Sequence, residues 1–202
     1  MNAHFEAVMN GEVSPIPIEN LDGLTMDEVF QKIIDFNKEI FLKYKTLTSQ
    51  IVLVVTEPKT KVHKFISLPI IAQDNIEKDI FSVFIRDMIS NIIEDKTKNF
   101  ILSAVVQVMD ANLKQYPIEA ISKDGKLREQ YKTPSQSKDS KDVLLFSMEQ
   151  EFTSRSITYE YIESSDGEVV LSEKPIFDTK DIFDERRKGR FNNLFTRGSG
   201  IN

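Results

Sequence analysis

Two strand-like runs, residues 99–109 (NFILSAVVQVM) and 142–150 (DVLLFSMEQ), constrain this chain most. Both are short and apolar, and a polar stretch separates them. Runs of that kind bury themselves as neighbouring strands. The expected fold is α+β. An antiparallel sheet of about five to six strands, built as a hairpin, a central strand and a meander, carries two amphipathic helices packed on one face.

Residues 25–45 form the first predicted helix. Thr25 and Glu28 spell a capping box, in which each side chain satisfies an orphan N–H at the helix start. Met26, Val29, Phe30, Ile33, Ile34, Ile40, Phe41 and Tyr44 follow at helical spacing. Residues 51–56 and 62–68 read as a β-hairpin around the turn Glu57-Pro58-Lys59-Thr60. Residues 76–94 form the second helix, capped by Asn75 or Asp74. Its apolar set is Ile76, Ile80, Val83, Phe84, Ile85, Met88, Ile92 and Ile93. Residues 155–163 pair with 142–150, Asp166-Gly167 makes a turn, and residues 168–172 end the sheet as an edge strand.

This reading divides the 202 residues into three parts. Residues 1–23 form an extended arm spaced by Pro15 and Pro17; it is either loose or laid along a neighbour through Ile16 and Ile18. Residues 24–172 form one α+β domain. Its polar insert, 111–141, is too long for an ordinary connection. The insert is a mobile excursion or a binding loop with Tyr116 and Tyr131 as contacts. Residues 173–202 form a second arm, in which Asp178 caps a short helix ending near Gly189. Phe191, Leu194 and Phe195 then stand at i, i+3, i+4, the spacing of a short helix that fits a partner's groove.

Charge separates the tail from the body. Arg186, Arg187, Lys188, Arg190 and Arg197 give residues 186–202 a charge of +5, with no acid among them. The net charge of −6 therefore leaves −11 for residues 1–185. The acidic body is unsuited to binding nucleic acid over a broad face. The tail suits nucleic acid or an acidic protein surface.

Chemistry-bearing patterns are sparse. With no cysteine, disulfides and Cys-based zinc sites are excluded. The two histidines, His4 and His63, form no spaced ligand pair, and His63 reads as a surface strand residue. No G-x-S-x-G occurs, and Ser103 and Ser147 lie within strands. No glycine-rich phosphate loop occurs either. Glu57-Pro58-Lys59 is similar to the E-x-K of Mg-dependent nucleases, where the lysine steadies the attacking water, but it lacks a preceding strand with the partner Asp. The acids Asp178, Asp181, Asp184 and Glu185 lack the spacing of a calcium loop. No cofactor, catalytic residue, small molecule, membrane span or secretory signal is expected.

In element order and in its Ile/Lys/Asn/Asp-rich composition, the chain resembles small α+β proteins encoded by tailed bacteriophages, most clearly over residues 100–162. The resemblance implies a virion, assembly or host-takeover factor in the bacterial cytoplasm or the virion, and assigns no site residues. The expected function is a non-enzymatic interaction protein whose arms dock on a larger protein assembly, with a homo-oligomer as one form. Arg186, Arg187, Lys188, Arg190, Phe191, Leu194, Phe195, Tyr116 and Tyr131 are the candidate contacts. The alternative is a nucleic-acid-associated or nuclease-like protein using the tail and Glu57 with Lys59.

Overall fold

The computed structural model describes residues 21–71, 74–94, 100–114, 116–120, 127–128, 130–182, 191 and 194–195. Arg186, Arg187, Lys188, Arg190, Arg197, the extended arm as far as residue 20, and residues 115, 121–126 and 129 of the insert lie outside them.

The fold is α+β. Helix α1 (Met26–Tyr44) leads into strands β1 (Gln50–Thr56) and β2 (His63–Pro69), then helix α2 (Asn75–Glu94). Strands β3 (Ile101–Leu113), β4 (Lys141–Glu149), β5 (Thr153–Glu163), β6 (Val169–Leu171) and β7 (Phe177–Ile182) follow. Every pairing is antiparallel, in the order β2-β1-β3-β4-β5-β6. Strand β5 is long enough to share its outer edge. Residues 161–163 pair with β6 and residues 153–158 with β7.

The two helices lie on opposite faces of the sheet, which corrects the one-face expectation. Strand β1 alternates without a polar break: Val52 and Val54 join the core under α1, and Ile51, Leu53 and Val55 join the core under α2. A strand buried on both faces loses the polar alternation that marks a one-sided sheet. The register slips where Val54 meets Ala104 and Val55 meets Leu102. Ser103 is the extra residue of this bulge, so Leu102 faces α2 while Ala104 faces α1.

Helix α1 is specified locally and by packing. Both halves of its capping box form, with Thr25 N–H donating to Glu28 at 2.8 Å and Glu28 N–H to Thr25 Oγ1 at 3.3 Å. Hydrogen bonds to the ionised form hold the Glu28 carboxyl below its usual range. Val29, Phe30, Ile33, Ile34, Ile40 and Phe41 are buried against β1, β3, β4 and β5. Asn37 lies on the same buried face. Its amide donates to Ile33 O at 2.8 Å and accepts from Gln50 Nε2 at 2.9 Å, and Ser67 donates to Gln50 Oε1.

Residues 177–182 form a strand, correcting the helix expected after Asp178. The free outer edge of β5 offers a ladder to this segment, and Arg155 on β5 forks onto the Asp178 carboxylate at 3.0 and 2.9 Å. Asp27 at the start of α1 meets the same Arg155 and also Lys180 at 2.9 Å. These cations lower the pKa values of Asp27 and Asp178. The Asp166-Gly167 turn forms as expected, with Gly167 at φ +80°, a conformation that favours glycine.

Candidate interaction surface

Helix α2 is capped by Asp74, whose carboxylate accepts from Glu77 N–H at 2.8 Å. Its apolar residues do not form one face. Ile85 and Ile89 are buried on the sheet, with Phe81, Met88, Ile92 and Ile93 partly buried around them. The other set points away. Ile76 is 70% exposed, Ile80 65%, Val83 44% and Phe84 54%. At i, i+4, i+7 and i+8 these four form a continuous outer stripe. The expected single apolar face is corrected, because α2 has sheet on only one side and these four lie on the other.

The stripe has an apolar flank. Between α2 and the edge strand β2 runs an open groove of about 310 Å³, lined by Val55, Ile66, Met88, Asn91, Ile92 and Phe100. Lys64 stands 4.7 Å from the Phe100 ring centroid at its side. Carboxylates bound the stripe along the helix. Asp74 and Glu77 lie at its start, and Asp87 and Glu94 continue its outer face towards the C-terminus.

The tail anchors predicted for a partner pack on this chain instead. Leu194 is 1% exposed within the α2-side core, and Phe191 and Phe195 pack against that core. Phe191 meets Phe81 edge-on at 6.1 Å. Two buried polar side chains of the sheet fasten the segment. Gln107 Nε2 donates to Phe191 O at 2.6 Å, and the Glu149 carboxylate accepts Leu194 N–H at 2.7 Å and Phe195 N–H at 3.4 Å. Apolar spacing alone cannot separate docking on a partner from docking on the chain's own sheet. Gln107 and Glu149, polar residues inside the two strand runs, were the signal for the second.

Tyr116 and Tyr131 meet edge-on at 6.4 Å, and Tyr116 donates to Lys132 O. Both are half-buried. Lys114 donates to Ser137 at 2.9 Å and Asp139 at 2.7 Å, tying the insert to the end of β3. The Tyr pair and Lys114 thus hold the described parts of the insert together and against the end of β3.

Glu57 accepts from Thr60 at 2.6 Å within the hairpin turn, and no group of three or more acids or histidines placed to hold a metal ion occurs among the described residues. His63 is half-buried, correcting its surface reading. Its Nε2–H donates to Leu24 O at 3.1 Å, which leaves Nδ1 to accept from Thr56 at 2.8 Å. Among the described residues no helix is long and apolar enough to cross a membrane.

Asp110 is a carboxylate in an unfavourable setting. Burial raises its pKa, the hydrogen bond from Tyr161 at 2.8 Å opposes this, and Asp142 nearby adds to the rise. Tyr161 is itself pushed up, first by burial and then by Asp110. A carboxylate raised in the folded state contributes stability at low pH and loses it as pH rises through the folded pKa. Asp110→Asn keeps an acceptor for Tyr161 and removes the buried charge. Its melting midpoint should exceed the wild type's at pH 7 by a few degrees, and the gap should close in acid, below the carboxylate range. Thermal melts across that pH range check this.

Comparison with family models, with curated proteins and with solved structures returns no match to this chain.

Proposed function

We propose that this chain is a non-enzymatic interaction protein that joins a larger protein assembly through the outer face of α2. The observation that carries the reading is the exposed stripe Ile76, Ile80, Val83 and Phe84 on a helix already seated by its other face. Full burial of one such side chain is worth about 1.5–3 kcal/mol. Contiguous exposed apolar surface of this kind marks interaction sites in proteins that stay folded alone. An assembly of the phage-encoded type remains part of the proposal, supported by element order and composition.

The contact lies on α2 in place of the tail. Phe191, Leu194 and Phe195 are committed to the chain's own core, and the basic residues 186–190 lie outside the described residues. Association with nucleic acid through that basic run is the second reading, and no described contact favours it.

A photo-reactive p-benzoylphenylalanine at position 84 tests the reading. Irradiated in an extract of the native source, it should give a discrete protein adduct, identified by mass spectrometry. The same probe at Lys59, in the hairpin turn, should not. Identical adduct patterns at the two positions would refute a contact through α2.

A further inference from the structure

We infer that the outer face of α2 receives a basic amphipathic helix from a different protein. This rests on the interaction reading above and adds the chemistry of the partner. The apolar stripe supplies the anchor, and its surroundings supply the sign. Counted from Asp74 to Glu94, the helix and its cap hold five acids against two bases. Asp87 and Glu94 continue the line of Ile76, Ile80 and Val83 along the exposed side. Asp74 stands exposed at the opposite end. Lys78 and Arg86 are half-buried, Lys78 in line with the sheet-facing Ile85, and Lys64 stands across the flanking groove beside Phe100. A ligand helix with apolar residues at i, i+3, i+4 and i+7 and lysine or arginine at its ends meets this pattern.

The same arrangement disfavours a second copy of the chain. A two-fold axis perpendicular to α2 through the middle of the stripe sets α2 against α2 in opposite directions. Asp87 of one copy then falls beside Asp74 of the other, and like charges across an interface oppose association. An anionic lipid surface meets the same repulsion.

The test uses two fluorescein-labelled amphipathic peptides of about five helical turns. One carries leucine with lysine, the other leucine with glutamate. Binding to the full chain is read by anisotropy. The lysine peptide should bind at least about tenfold more tightly than the glutamate peptide. Its affinity should fall as salt is raised, because screening shortens the reach of the carboxylates. Ile80→Gln with Phe84→Gln should weaken it about tenfold or more, and Asp87→Lys should weaken it several-fold. These positions are exposed, and circular dichroism of each variant verifies that the fold is kept. Ile162→Gln, an exposed apolar position on β5, should leave affinity unchanged.

Four results would overturn the inference: no binding, equal binding of the two peptides, insensitivity to the α2 variants, or equal sensitivity to Ile162→Gln. A wild-type dimer in light scattering that Phe84→Gln dissociates would also overturn it and assign the stripe to a second copy. A specific adduct at position 84 together with equal peptide binding would keep the interaction reading and remove the basic partner.

Discussion

Leu194→Ala should lower the unfolding free energy by about 2–5 kcal/mol, the cost of emptying a filled core site. Leu194 lies in one cluster with Ile85 and Ile89 of α2 and Leu53 and Val105 of the sheet. Ending the chain at residue 190 should cost more, because Phe191 and Phe195 leave as well and the α2-side core opens to water. Glu149 then loses the N–H groups of residues 194 and 195. Solvent reaching the carboxylate offsets part of that loss, so apolar exposure dominates. A domain's whole stability is about 5–15 kcal/mol, so either change should move the urea midpoint far outside error. Urea unfolding followed by circular dichroism measures it. A truncated chain with an unchanged midpoint would show that the tail is detachable, and would restore it as a docking arm. The tail therefore cannot be deleted as a neutral test of association; a loss of binding on truncation would report a damaged core.

What was legible in the sequence divides along one line. Features decided by neighbours in the chain were readable: the Thr25 capping box, the Asp166-Gly167 turn and the alternating strands. Features decided by what lies across the fold were not. The strand Phe177–Ile182 reads as a short helix capped by Asp178 until the unfilled edge of β5 and the Arg155 guanidinium are in view. Helix α2 carried a partial signal. Ile76, Ile80, Val83 and Phe84 lie in one register around the helix, and Ile85, Met88, Ile89 and Ile92 lie in another. Two registers in one helix mean two apolar faces, and only one faces the sheet. Which face that is depends on tertiary packing, and so does the candidate site. The doubly covered β1 left the side of the sheet taken by each helix undetermined in the same way.

Asn37→Leu should destabilise the protein although it adds apolar volume at a buried helix position. Gln50 would keep its bond from Ser67 but lose the acceptor for its own amide N–H, 2.9 Å away at Asn37 Oδ1. Gln50 is buried, so water does not replace that acceptor. A buried donor left unmet costs about 1–3 kcal/mol, more than the burial of a slightly larger side chain restores at a site already filled. Gln50→Met alone should also destabilise, by leaving Asn37 without its donor. The double variant Asn37→Leu, Gln50→Met removes both polar groups and keeps roughly their volumes, and the half-buried Ser67 can turn to solvent. Its loss should be smaller than the sum of the single losses by about 0.5–3 kcal/mol, the range for directly coupled neighbours. A urea double-mutant cycle measures that difference. Strict additivity would mean that the pair does not join α1 to β1 energetically. A positive coupling would show that Asn37 and Gln50 join α1 to β1 as a polar pair within an otherwise apolar contact.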